Sequence, residues 1–175
     1  IVIDEAAELT SVTAPAGGET YYALNSVLNG MTLTITAAEN VTVTVNGVAL
    51  AADANGLITV TLTGAPMNKL VVANAGEEAV ELVAALEWPL GSENNPIIIN
   101  TAAELTQVEA GKFYAISSML NGKFLVIDET AGTVTLNGTA LTAEGGKFVA
   151  ELTGAPMTKL TATATAAAEI VDEEP

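Results

Sequence analysis

Four groups of neighbouring acids, Asp4-Glu5, Glu77-Glu78, Asp128-Glu129 and Asp172-Glu173-Glu174, are the side chains in this sequence best suited to chemistry. Loop carboxylates serve hard cations, and calcium takes about six to eight oxygens from several such ligands. A carboxyl pair is also the acid and base of glycoside hydrolysis. The spacing supports neither use. No Asp-x-Asp-x-Asp-Gly run occurs, and only Glu8 with Glu104 and Asp53 with Glu144 recur as acids when the chain is compared with itself. The acids are therefore expected to form a solvated surface. No cofactor is expected, calcium being the one ion these loops would suit.

Other reactive groups are scarce. The chain has no His, no Cys and no Arg, which removes thiol nucleophiles, imidazole bases, their triads and zinc sites built on imidazole or thiolate. The chain is not expected to be an enzyme. Lys69 and Lys159 occupy matched places, and a Lys-to-Asn crosslink would need a buried Lys beside an Asn and a carboxyl. Asn68 precedes Lys69, but Thr158 precedes Lys159, so both lysines are read as strand-edge charges that discourage stray pairing. Asn40-Val41-Thr42 and Asn137-Gly138-Thr139 fit the glycosylation sequon, which a Thr-rich chain produces by chance. Trp88 is the sole tryptophan. Exposed, it would suit a sugar ring; beside Pro89 and without a twin, it is expected to pack between the halves of the chain. Tyr22 and Tyr114 stand at matched positions and read as core or rim residues.

The charge decides the partners. Against 21 acids stand 5 lysines, for a net charge of −16 in 175 residues. No surface can neutralise phosphates, and an anionic membrane would repel the chain, so neither nucleic acid nor membrane insertion is expected. No apolar run is long enough to cross a bilayer as a helix, and no basic-then-apolar leader opens the chain. Half the residues are hydrophobic but only 4% are aromatic, so the core must be built from small and β-branched side chains.

The elements that carry these residues come in two copies. Ala6-Ala7-Glu8-Leu9-Thr10 recurs at 102–106, Leu28-Asn29-Gly30 at 120–122, Asn46-Gly47 at 137–138, and Thr63-Gly64-Ala65-Pro66-Met67 at 153–157. The offset shrinks from block to block, so the second copy is shortened in its loops, most of all around Thr13 to Gly18. Met31–Thr36, Val41–Val45 and Ile58–Leu62 alternate apolar residues with Thr, the pattern of half-buried antiparallel strands. The Asn-Gly pairs at 29–30, 46–47, 121–122 and 137–138 are expected to form type I′ hairpin turns, with Asn55-Gly56 and Gly145-Gly146 as turns of one kind. Ala6–Leu9 and its twin at 102–105 read as single turns between strands. The expected fold is all-β: two tandem antiparallel β-sandwich (Ig-like) domains, at 1–90 and 91–175, with the seam around 87–96.

The ends of the chain echo the seam. Asn94-Asn95-Pro96-Ile97-Ile98-Ile99 resembles the junction that Glu173-Glu174-Pro175 would make with a following Ile1-Val2-Ile3. The chain thus reads as one period of an open series, either part of a longer polypeptide or a subunit that stacks on its own copies. In the second case Ile1, Val2, Ile3 and Asp4, or the tail carrying Ile170 and Val171, would serve as strands shared between neighbours.

Gly91-Ser92-x-x-Asn95-Pro96-Ile97, Ala110-Gly111-Lys112-x-Tyr114 and Asn121-Gly122-Lys123, followed by an Asn-Gly hairpin, resemble tandem β-sandwich repeats of secreted, surface-attached bacterial multidomain proteins. The first copy lacks the opening motif and has Gly18-Glu19-Thr20 in place of Ala-Gly-Lys. The resemblance implies an extracellular, cell-surface stalk, spacer or filament and brings no catalytic residues. The function expected is a structural unit that assembles with its own copies or with neighbouring repeats. The alternative is a surface-displayed module that binds carbohydrate or glycoprotein through an exposed Trp88 or Tyr114.

Overall fold

The computed structural model describes residues 1–175 and divides them into two compact units, Ile1–Pro89 and Leu90–Pro175. Each is a β-sandwich of nine strands. In the first, β1 (Val2–Ile3), β3 (Glu19–Asn25), β5 (Val41–Val45), β6 (Val48–Leu50) and β8 (Met67–Asn74) form a sheet ordered β1-β3-β8-β5-β6. Strands β2 (Ser11–Ala14), β4 (Thr32–Thr36), β7 (Leu57–Thr61) and β9 (Val80–Glu87) form the other, ordered β2-β9-β4-β7. The second unit repeats this plan. Its larger sheet joins β10 (Ile97–Ile99), β12 (Phe113–Ser117), β17 (Met157–Ala162), β14 (Val134–Leu136) and β15 (Thr139–Ala140) in that order. Its smaller sheet joins β11 (Gln107–Val108), β18 (Ala166–Val171), β13 (Phe124–Asp128) and β16 (Lys147–Glu151).

The pairing is antiparallel except at one edge, where β1 runs parallel to β3 and β10 parallel to β12. Consecutive strands switch sheets at almost every step, the β5–β6 and β14–β15 hairpins excepted. An immunoglobulin domain instead keeps A with B and D with E on one sheet. The sandwich expected from the strand pattern is present; its strand order is a different one.

Alternation places the cores. Along β4, Leu33 and Ile35 face inward while Thr32, Thr34 and Thr36 face out, and Val43 and Val45 of β5 meet Leu70 and Val72 of β8. The second unit buries Leu125, Ile127, Leu152 and Leu160 in corresponding places. Each fully buried Leu or Ile contributes about 1.5–3 kcal/mol, so repeating the inward set preserves the fold even where turns and outward residues change.

The turns divide into three kinds. Asn46-Gly47 and Asn137-Gly138 have positive φ at both residues and close the β5–β6 and β14–β15 hairpins as type I′ turns. Asn29-Gly30 and Asn121-Gly122 do not. There Asn29 has φ −61° and ψ 138° before Gly30 at φ 93°, and the Met31 N–H donates to the Leu28 carbonyl, a type II turn linking a short 3-10 turn to β4. Asn55-Gly56 and Gly145-Gly146 also differ. The first lies in a three-residue loop, with the Asp53 carboxylate accepting from the Asn55 and Leu57 N–H groups. The second is a two-residue hairpin closed by reciprocal Glu144–Lys147 backbone bonds. One missing residue there accounts for the last step in the shrinking offset.

One pair of acids that recurs between the copies has matching structural work. Glu8 accepts from the Asp4 and Glu5 N–H groups and Glu104 from those of Asn100 and Thr101, each closing a 3-10 turn, at Ala6–Glu8 and Ala102–Glu104.

Candidate functional site

The outward faces of the two larger sheets carry the most distinctive chemistry in the molecule. On β3, Tyr22 and Leu24 point into the core, so Tyr21 and Ala23 point out; on β8, Leu70 and Val72 point in, so Lys69 and Val71 point out. Register then sets Tyr21 beside Val71 and Thr44 in one cross-strand row, and Val2, Ala23 and Lys69 in the next. The second unit repeats the grid with Phe113, Thr161 and Thr135 in one row and Ile98, Ala115 and Lys159 in the other. Tyr21 is 50% exposed, and Met67, Val2 and Ile98 are exposed as well. A largely apolar face with one lysine among its central strands and one acid at its margin, Glu19 or Glu93, therefore occurs twice on a chain whose net charge is −16.

The copies use the lysine differently. In the first unit, the Lys69 ammonium lies 5.0 Å from the centroid of the Tyr21 ring, a cation–π contact. The Tyr21 hydroxyl donates to the Glu19 carboxylate, and that hydrogen bond, with the carboxylate's charge, raises the phenol's pKa. In the second unit, Lys159 and Phe113 flank a cavity of about 280 Å³, walled on one side by Glu93 and Pro96. Ala115, which lies between them on the outward side of β12, is only 1% exposed although it lies outside the core cluster. The wall is built by the segment before β10: Gly91 N–H donates to the Asn95 carbonyl, and Phe113 N–H donates to the Gly91 carbonyl. Thr135 and Thr161 hydrogen-bond to each other through their hydroxyls. The molecule's two salt bridges, Lys123–Asp172 and Lys147–Asp128, leave Lys159 without a carboxylate partner.

Residues singled out from the sequence fall elsewhere. Ile1 to Asp4 do not form a loose arm: Val2 and Ile3 pair with Ala23 and Leu24, the Ile1 carbonyl accepts from Ala23, and Ile3 is buried. Ile170 and Val171 pair with Leu125 and Phe124 inside β18. Both candidate exchange strands are thus held in their own sheets, because their alternating side chains complete their own cores. Trp88 packs half-buried against the core of the first unit, over Gly30, with Pro89 exposed beside it. Glu87 pairs with Thr32 and Val171 with Phe124, which makes Asp172 the structural counterpart of Trp88 and Lys123 that of Met31. An apolar Met–Trp site in one copy is a Lys–Asp ion pair in the other, so Trp88 has a counterpart that sequence comparison alone did not align.

Tyr22 and Tyr114 are buried, and each hydroxyl accepts a backbone N–H, from Thr13 and Glu109 respectively, at 3.0 Å. Neither ring stands exposed on the surface, although Tyr114 contributes to the lining of the cavity beside Lys159. Asn68 does not approach the Lys69 ammonium but lies fully buried in a hydrogen-bonded knot with Asn29, Asn46 and Gly64. Asn40 is exposed at a turn; Asn137 is exposed too, with its side-chain oxygen bound to the Lys159 N–H. No three carboxylates converge in a way that would hold a metal ion. No helix is long and apolar enough to cross a membrane.

Tyr21, Phe113, Met67, Met157 and Glu93 went unmarked in the sequence. The signal was there in the pairs Tyr21-Tyr22 and Phe113-Tyr114: on a strand, one member of each must face out. No protein-family model matches the chain, and no curated protein matches it.

Proposed function

We propose that this chain is a structural pair of repeats from an extracellular bacterial surface assembly, a stalk, filament or sheath. The observation that carries this reading is how the connection between the units is held. Trp88 is fastened over Gly30 in the first unit, and Gly91 is fastened to β12 in the second through Phe113 N–H, with the Lys112 side chain against it. Only Pro89 and Leu90 lie between those anchors. The segment that joins the two sandwiches is thus short, as suits successive repeats in one chain.

Other features agree. Each sandwich is complete, the recurrent Glu8 and Glu104 close turns, and a dense acidic exterior without Arg gives trypsin-like proteases few sites. Because Val2–Ile3 and Ile170–Val171 already complete their own sheets, growth by covalent repetition or by contact between finished domains is favoured over strand exchange. Electron microscopy of the native protein tests the proposal. Rods or filaments with a regular two-domain repeat are expected; a monomer that does not associate, encoded by a gene holding only these two domains, overturns it.

A further inference from the structure

We propose that the cavity over Ala115 in the second unit is a binding site for a single carboxylated sugar ring of the hexuronate class. Four properties select that ligand. The size is right for one ring, since about 280 Å³ lies just below the roughly 300–1,000 Å³ of sites that take drug-sized molecules. Phe113, Pro96 and Met157 supply an apolar surface for a ring's C–H face. Lys159, which forms no salt bridge, supplies the cavity's one ammonium; with Glu93 as its one carboxylate the lining carries no net charge, so a ligand carboxylate pairs with Lys159 and keeps away from Glu93. Thr135, Thr161 and Glu93 supply groups that hydrogen-bond hydroxyls, which a purely aliphatic acid would leave unmatched.

The first unit acts as a built-in comparison. There the equivalent lysine rests on Tyr21, whose hydroxyl is tied to Glu19, so both recognition groups are already engaged with each other. In the second unit Phe113 has no hydroxyl to tie, and the Gly91–Pro96 turn raises a wall beside it. The site therefore depends on a turn motif that has no counterpart within residues 1–89.

The net charge of −16 repels anions at long range, which limits the ligand to one ring or a chain end. At physiological ionic strength that repulsion is screened beyond about 8 Å, while the contact with Lys159 is not. A polyuronate lying across the surface would lose on balance; a terminal residue entering the cavity would not.

The test is a titration of the full two-unit chain, followed by backbone amide NMR, with sodium D-glucuronate, D-glucose and sodium acetate at matched ionic strength. Glucuronate is expected to shift the amides of Phe113, Lys159 and Thr161 with millimolar affinity, glucose about tenfold more weakly, and acetate without saturation. Lys159→Met is expected to abolish the response and Lys69→Met to leave it intact, while both spectra stay folded. Unshifted amides at about 50 mM, equal responses to glucose and glucuronate, saturation by acetate, or an undiminished response in Lys159→Met would each overturn the assignment. So would tighter binding of a short acidic peptide at the same amides, which would make the cavity a peptide site.

Discussion

Replacing Asn68 with Ala tests the reading of the first unit's turn end most directly. Asn68 is 0% exposed, and its carboxamide holds three segments together. The oxygen accepts from Gly64 N–H at 2.6 Å, from Thr63 N–H at 3.2 Å and from the Asn46 side chain at 3.0 Å; the nitrogen donates to Asn29 at 2.8 Å. At about 1 kcal/mol net per bond, with partners left unpaired in a buried place, Asn68→Ala should cost about 3–4 kcal/mol. Asn68→Thr copies Thr158, whose hydroxyl accepts only from Gly154 N–H at 3.1 Å, and should recover about 1 kcal/mol of that. The assay is urea unfolding followed by the fluorescence of Trp88, which packs against the first unit's core and so reports on that unit. With a slope of about 1–2 kcal/mol/M, the midpoint for Asn68→Ala should fall by about 2 M. A loss below about 1 kcal/mol, or a Thr variant no better than Ala, would show that the knot is not a structural hub.

The second copy offers the reverse change: Thr158→Asn should stabilise that unit by about 1 kcal/mol by giving Asn121 and Asn137 a shared partner, measured by amide hydrogen exchange in β17. Gly30→Ala and Gly122→Ala form a matched pair, both at positive φ. A Cβ at Gly30 would lie 2.9 Å from the Trp88 ring, while at Gly122 nothing lies within 4 Å. Each loses about 1 kcal/mol to backbone conformation, and Gly30→Ala should lose at least about as much again and change Trp88 emission. Tyr22→Phe and Tyr114→Phe should each cost about 1 kcal/mol through the stranded Thr13 or Glu109 N–H, read by thermal unfolding. Asp128 accepts from the Lys147 ammonium at 2.7 Å and raises its pKa. The folded value lies above the unfolded one, so the contribution is present below pH 10.5 and is lost as pH rises through the folded value. Asp128→Asn should bring the Lys147 titration, followed by the side-chain carbon shift, back down.

Period-two alternation and the repeated blocks made the two sandwiches legible, because a half-buried strand writes its inward face directly into the chain. Strand order was not legible: nothing in Ile1-Val2-Ile3 says that it pairs parallel to β3 rather than with a neighbour's edge. The Asn-Gly pairs misled where the pair follows a 3-10 turn. Asn29 at φ −61° uses its side chain to hold the Gly64 carbonyl, a long-range partner invisible to local turn rules. The cavity was illegible for a related reason. Its wall comes from 91–96, its aromatic from β12 and its cation from β17, and only the register brings them together.

The two copies differ least along their inward rows and most on their outer faces. Inward positions keep their character, as with Leu33 and Leu125, Leu62 and Leu152, or Leu70 and Leu160. At the end of the last strand, Met31 with Trp88 gives way to Lys123 with Asp172, two different ways of covering the same edge. On the outer face the changes act together instead: Tyr21 becomes Phe113, Val71 becomes Thr161, and the lysine that rests on an aromatic ring in one copy flanks a cavity in the other. One scaffold thus carries two outer faces of different chemistry, because the outward rows can change while the inward rows hold the sandwich.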